Sequence, residues 1–177
     1  LADAKNVTPA DIVVCILDRP RHKDIISGVR ESGARIMLIS DGDVSGVIAT
    51  AQPDAGVDLY LGSGGAPEGV LAAAALRCIG GQMQGRLMFR NDDEISRARR
   101  WGIEDLEKKY CLSELAKGDV MFAATGVTGG TMLKGVKRFP GGADTHSIIM
   151  RSSTGTVRTI EAHHDWRRKP ISSDLKV

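Results

Sequence analysis

The chain has 177 residues, of which 42% are hydrophobic and 26% charged, with a formal net charge of +2. That length and balance fit one globular domain, or slightly more than one. The near-neutral charge gives no electrostatic case for nucleic acid or an anionic membrane as a partner. No apolar run reaches the length of a membrane span, and no signal peptide is visible. Three scattered cysteines, Cys15, Cys78 and Cys111, show neither CxxC nor metal-type spacing. Two of them sit in apolar runs, as buried, reduced residues of a cytoplasmic protein would. The basic clusters Arg97, Arg99, Arg100 and Arg167, Arg168, Lys169 have acids close by and read as solvated faces.

The first half alternates short apolar runs with helical periods. A short polar stretch, residues 1–10, reads as the lead-in from a missing N-terminal domain. Asp11 to Leu17 is β-branched and nearly continuous in apolar residues, a buried strand. His22 to Ser32 carries Ile25, Ile26 and Val29 at helical spacing, and Gly33 stops it. Arg35 to Ile39 is a second strand. Asp43 to Ala51 reads as a short helix with Asp43 as its N-cap. Val57 to Leu61 is a third strand, and Pro67 to Cys78 a third helix that Gly80-Gly81 ends.

The second half is less regular. Gln84 to Phe89 reads as a fourth strand, Asp92 to Trp101 as an exposed helix, and Asp105 to Leu115 as helical in pieces. Asp119 to Thr125 is another core strand. His146 to Ser152 and Thr156 to Ala162 flank Ser153-Thr154-Gly155 and read as an antiparallel hairpin. The unit spans residues 11–164, and residues 165–177 form a polar tail. Such alternation implies an α/β fold, a layered αβα sandwich around a mostly parallel, mixed sheet.

In open α/β sheets, ligands bind beyond the carboxyl ends of parallel strands. Each of the first three strands is followed there by a polar or glycine-rich segment. The first is Asp18-Arg19-Pro20-Arg21-His22. Two guanidiniums presented from a stiff turn suit a phosphate or carboxylate. As ordinary surface arginines they would oppose the dipole of the helix that follows. The second segment is Ser40-Asp41-Gly42-Asp43. Its paired carboxylates can accept hydrogen bonds from sugar hydroxyls, hold Mg²⁺ or Mn²⁺, or act as an acid/base pair. A turn aspartate plus a capping aspartate is the plainer alternative.

The third segment, Gly62 to Gly69, puts small residues and Pro67 at a helix start, an anion-binding geometry. Glu68 there is either a simple dipole partner or a ligand for a divalent cation that a phosphate also touches. Thr125-Gly126-Val127-Thr128-Gly129-Gly130 follows a strand as well, as a further phosphate-facing loop or a tight turn. His22, His146, His163 and His164 form no recognisable metal set and read as exposed or structural.

The motifs Asp18-Arg-Pro-Arg-His22, Asp41-Gly-Asp-Val44 and Gly64-Gly-Ala-Pro-Glu-Gly-Val70, in this order, resemble those of class II fructose-1,6-bisphosphatases. The nearest likeness is to the dual fructose-1,6-/sedoheptulose-1,7-bisphosphatases of cyanobacteria. The resemblance runs from about residue 7 to 165 and covers the C-terminal half of a family member. It implies an inositol-phosphatase-like fold and hydrolysis of the 1-phosphate of a sugar bisphosphate with Mg²⁺ or Mn²⁺, in gluconeogenesis or the Calvin cycle. By this resemblance Arg19, Pro20 and Arg21 hold the substrate. Asp41, Gly42 and Asp43 meet its hydroxyls, Gly65 contacts it, and Glu68 ligates the metal. The remaining metal carboxylates belong to an N-terminal domain that this sequence does not contain. The chain alone is therefore expected to be inactive, and the whole protein to be a homo-oligomer. The competing reading is a non-enzymatic sugar-phosphate or nucleotide-binding module that uses the same loops without metal.

Overall fold

The computed structural model describes residues 1–168. After a short helix α1 (Ala2–Lys5), strands β1 (Val13–Leu17), β2 (Arg35–Ile39) and β3 (Leu59–Tyr60) alternate with helices α2 (Lys23–Glu31), α3 (Asp43–Ala49) and α4 (Ala66–Ile79). The three strands form a parallel sheet in the order β2-β1-β3. The central strand fits that position, with Val14, Cys15, Ile16 and Leu17 all buried. At its start, a 3₁₀ turn at Pro9–Asp11, begun by Pro9 with its fixed φ and missing donor, takes Asp11 from the expected strand, and pairing starts at Val13. β2 is apolar but lies at the edge, so Met37 and Leu38 remain exposed.

Helix α2 covers one face of this sheet. Its Val29, Ile25 and Ile26 pack with Ile12, Val14 and Ile16 of the β1 segment and with Ile36 and Leu59. Helices α3 and α4 belong to a second core. There Ile48, Ala75 and Cys78 meet Phe122, Ile148 and Met150 from the second half of the chain. Helix α4 therefore has packed neighbours on more than one side. Ala72, Ala73, Ala75, Leu76 and Cys78 are all buried, which agrees with its apolar, alanine-rich sequence.

The second half contributes β4 (Gln84–Gly85), α5 (Asp92–Arg100), β5 (Tyr110–Cys111), α6 (Leu112–Leu115), β6 (Met121–Thr125), β7 (Lys137–Phe139), β8 (Gly142–Arg151) and β9 (Thr156–Asp165). The chain is thus mixed α/β, as expected. Its parallel pairing lies in β1–β3, and β6, β7 and β9 all pair antiparallel with β8. The hairpin extends well beyond the expected segments, since β8 and β9 stay in register from Arg151↔Thr156 to Gly142↔Asp165. Fourth-strand pairing is shorter than expected, with two residues of Gln84 to Phe89 pairing to Tyr110 and Cys111. Of the stretch expected to be helical in pieces, Asp105 to Leu115, only Leu112–Leu115 is helical: Tyr110 and Cys111 pair with β4, and residues 105–109 form a turn and irregular backbone. β7 had no counterpart in the pattern, because Lys137-Arg138-Phe139 is too short and too charged to show alternation. Of the polar tail, Asp165 ends β9 and Trp166–Arg168 form a 3₁₀ turn, while residues 169–177 lie outside the described residues.

Asp119, just before β6, ties that strand to the far end of β8. It accepts from Arg151 Nη2 at 2.6 Å and from the Ser152 hydroxyl at 3.2 Å. The Arg151 guanidinium, chiefly, holds its carboxyl down at about 2, against an ordinary value of 3.8. A depressed carboxyl stabilises the fold above its unfolded value and loses that contribution as pH falls through the folded one. Arg151→Ala should therefore lower the thermal midpoint at neutral pH. The gap to the parent should close between about pH 4 and pH 2, measured by circular dichroism melts across that range. A gap independent of pH would contradict the assignment.

Candidate substrate-binding site

The loop leaving β1 turns to the α2 face, whereas those leaving β2 and β3 turn to α3 and α4 in the other core. This reversal puts a topological switch point at the carboxyl end of β1, the place where open α/β sheets bind ligands. All three sequence-predicted segments border that edge.

In the first loop, Arg19 precedes a 3₁₀ turn at Pro20–His22. His22 is fully buried, at 0% exposure. Its Nδ1 lies 2.7 Å from the Leu17 carbonyl oxygen, and the Ser63 N–H points at Nε2 from 2.9 Å. A carbonyl can only accept, so Nδ1, the nitrogen with the shorter carbonyl contact, carries the proton; Nε2 faces both the Ser63 N–H and, at 3.1 Å, the Ser63 carbonyl oxygen, and accepts from the closer N–H. The Ser63 hydroxyl lies 3.3 Å from the same nitrogen. The Ser63 carbonyl receives Arg21 Nε at 2.8 Å. Adjacent side chains of the first loop thus hold both backbone polar groups of one residue in the third.

That bond uses Arg21 Nε and leaves its terminal nitrogens exposed, the fork that suits an anion. Arg19 donates Nη1 to the Asp18 carbonyl at 2.8 Å.

In the second loop, Gly42 and not Asp43 is the N-cap of α3. It adopts φ 75°, and a Cβ there would stand 2.9 Å from Ser45 Oγ. The left-handed backbone suits glycine and moves Asp43 into the first helical position. Asp43 Oδ1 accepts the Val44 N–H at 2.9 Å. Asp41 is exposed.

In the third loop, Gly65 is the N-cap of α4 and Pro67 falls in its first turn. Glu68 reaches back, and its Oε2 accepts the Gly65 N–H at 2.8 Å. This is the carboxylate half of a capping box. A Cβ on Gly64 would stand 3.4 Å from Asp43 Oδ2 and 3.6 Å from Glu68 Oε2. Two carboxylates from different loops therefore flank one backbone position. On Gly65 a Cβ would come within 2.6 Å of Glu68 Oε2. A side chain on Gly65 would displace the Glu68 carboxylate from the Gly65 N–H, whereas Gly64 has ordinary van der Waals room.

Tyr60 joins this group, although the sequence pattern marked it only as part of a strand. Its ring packs beside the Gly46 and Gly62 backbones, 3.1 and 3.4 Å from their Cβ positions. Burial first, then the Asp43 charge, with smaller contributions from Cys15 and Glu68, pushes its phenol up to about 12 against the opposing pull of Arg21. The hydroxyl is thus a donor at any physiological pH. The available signal was an aromatic residue at the mouth of a glycine loop in a chain with only 4% aromatics.

The structure thus gathers Arg21, Asp43, Tyr60, Gly64, Gly65 and Glu68. It sets Arg19 and Asp41 on the same edge, with no hydrogen bond to the others among the described residues. The 125–130 loop uses its backbone in turn bonds, Gly130 N–H to Leu133 and Val136 N–H to the Val127 carbonyl. These favour the turn over a ligand loop.

No group of three or more His, Cys, Asp or Glu that could hold a metal occurs among the described residues. Mg²⁺ and Mn²⁺ favour about six oxygen ligands. These residues can therefore supply part of such a site, with Glu68 Oε1 accepting no hydrogen bond among the described residues, but not a complete one.

The family model for bacterial fructose-1,6-bisphosphatase, glpX-encoded, matches residues 1–164. The chain belongs to this family. Among its relatives are proteins named D-fructose 1,6-bisphosphatase class 2/sedoheptulose 1,7-bisphosphatase. The one from Crocosphaera subtropica is 41% identical, covering 99% of this chain and 54% of its own length. That from Trichodesmium erythraeum is 43% identical over 87% of this chain and 48% of its own. The protein from Microcystis aeruginosa is 40% identical over 95% of this chain and 52% of its own. This glpX-type chain spans about half the length of the curated relatives it matches.

Glu68 has a separable structural role at the start of α4. Glu68→Gln keeps an oxygen for the Gly65 N–H, whereas Glu68→Ala removes both bond and charge. Without added metal, urea denaturation should show Glu68→Ala less stable by about 0.3–1 kcal/mol, with Glu68→Gln between it and the parent. Equal stability of all three would exclude the capping role.

Proposed function

We propose that this chain is the C-terminal, substrate-holding half of a class II sugar-bisphosphatase. In this reading residues 11–164 form the binding unit and 1–10 lead in from an N-terminal domain. The reaction is removal of the 1-phosphate from fructose 1,6-bisphosphate, and from sedoheptulose 1,7-bisphosphate, as in gluconeogenesis or the Calvin cycle. One observation carries the reading: in a chain of this family, three loops meet at one sheet edge with basic and acidic side chains facing a glycine-rich helix start.

The residues divide the work by charge. Arg19 and Arg21, on a turn stiffened by Pro20, take the phosphate that does not react. Asp41 and Asp43, either side of Gly42, accept hydrogen bonds from the sugar hydroxyls. Gly65 lets the ligand approach the loop backbone, and the Tyr60 hydroxyl donates beside it. Glu68 keeps one oxygen on Gly65 and offers the other to Mg²⁺ or Mn²⁺. Such an ion supplies charge neutralisation for phosphoryl transfer. Its other ligands come from outside this chain, so the chain alone is inactive.

The setting is the cytoplasm. Among the described residues no helix is long and apolar enough to cross a membrane. Self-association is part of the proposal, and the ten-residue β9 supports it. Among the described residues β9 pairs with β8, and it leaves Val157 and Ile160 exposed.

The test uses the longer protein that contains this half, with Mn²⁺ and fructose 1,6-bisphosphate, measuring phosphate release. Arg21→Ala should raise KM about tenfold or more with kcat less affected, because a non-reacting phosphate contributes mainly uniform binding. Glu68→Ala should abolish turnover. A loss of kcat at unchanged KM in Arg21→Ala, or full activity in Glu68→Ala, would contradict these roles. Tight sugar-phosphate binding in EDTA with no turnover in the longer protein would favour the binding-module reading instead.

A further inference from the structure

We infer that His22 is a positioning residue for the substrate site: its Nε2 lone pair fixes Ser63, and through Ser63 sets the glycine loop against the arginine turn. The inference rests on the sugar-bisphosphate reading above. It concerns a residue that touches no ligand in that reading.

His22 is the one buried polar or charged residue among those described. A buried polar ring is costly unless its nitrogens are satisfied. Both are, and by different loops: Nδ1–H donates to Leu17 at the end of β1, and Nε2 accepts from Ser63 after β3. Tight packing reinforces the pairing, since a Cβ on Gly62 would stand 3.3 Å from His22 Cε1.

The consequences run in both directions along the chain. Beyond Ser63, Gly64 and Gly65 have no side chains to restrain them, so their orientation is set by Ser63 on one side and helix α4 on the other. Before His22, Arg21 uses its Nε on the Ser63 carbonyl. Loss of the Nε2 acceptor releases the Ser63 N–H, then the glycine backbone, and with them the partner that aims Arg21. A ring that merely filled the core would depend on its volume and on the Leu17 bond instead.

Two isosteric changes separate these roles. Asparagine places its amide N–H near the Nδ1 position and keeps the Leu17 bond. Glutamine places its amide oxygen near Nε2 and keeps the Ser63 bond. The first measurement is amide hydrogen exchange at Ser63, by NMR on this chain. Exchange should quicken about tenfold in His22→Asn and stay within about twofold in His22→Gln, the scale of one hydrogen bond. Unchanged Ser63 exchange in His22→Asn overturns the inference.

The second measurement is the dissociation constant and KM for fructose 1,6-bisphosphate in the longer protein. Affinity should fall about tenfold in His22→Asn and remain within about threefold of the parent in His22→Gln. Equal affinities, or weaker binding by His22→Gln, overturn the inference. Failure of the parent itself to bind fructose 1,6-bisphosphate overturns the sugar-bisphosphate reading, and the exchange result then decides the Ser63 clamp by itself. If either variant does not fold, the ring ¹⁵N shifts of the parent decide: a proton on Nδ1 supports the clamp, and a proton on Nε2 overturns it.

Discussion

Everything proposed for the candidate site depends on how Ser63 is held. Its N–H and carbonyl are engaged by His22 and Arg21, two neighbours on a loop about forty residues earlier in the chain. Parallel strands fix where loops begin but not how their tips lie. Here the tips are joined by hydrogen bonds that include a fully buried imidazole, in a setting where an unmade bond is costly. The glycine loop can therefore lack side chains at Gly64 and Gly65 without losing its shape.

The layering around this joint explains why the site is an open wall. α2 covers one side of the parallel sheet, and α3 and α4 join a second core with the antiparallel strands. The start of α4, where Glu68 sits, is solvent-facing, and Val70 and Leu71 beside it are exposed. Each of the two nearest carboxylates has one oxygen on a backbone N–H, Asp43 on Val44 and Glu68 on Gly65. The other oxygen of each accepts no hydrogen bond among the described residues. Two such groups beside one glycine repel each other when nothing lies between them, and the repulsion is relieved by a cation or by donor hydroxyls. The chain's relatives are about twice as long, which fits a wall completed from elsewhere in the proposed whole protein.

Much of this was legible in the sequence because it is local. β-branched runs, helical spacing and glycine stops marked β1, α2, β2, α3 and α4, and the loops between them are where the chemistry gathers. The hairpin was visible from its turn, although its length was not. Composition showed β8 and β9 where they are apolar, but Gly142, Ala143 and Asp144 pair because β7 and β9 flank them. What stayed hidden depends on contacts between distant segments. A histidine in Asp-Arg-Pro-Arg-His reads as either exposed or structural, and only the Ser63 loop closing over it decides for the structural role. Tyr60 reads as one strand residue among others until Asp43 and Glu68 are brought beside it. Asp43 looked like a cap because aspartate favours that position, but Gly42 alone accepts the left-handed backbone that the turn requires. The glutamate was legible as a residue of a helix start. Its assignment to a metal came from family likeness and not from spacing.

The most direct test of the account is a crystal structure of the longer protein with fructose 1,6-bisphosphate and Mn²⁺. It should show one phosphate on Arg19 and Arg21, sugar hydroxyls at Asp41 and Asp43, and Mn²⁺ on the Glu68 oxygen that does not accept from Gly65. His22 should still bridge Leu17 and Ser63. A sugar bisphosphate bound away from this sheet edge, or a metal site that excludes Glu68, would contradict it.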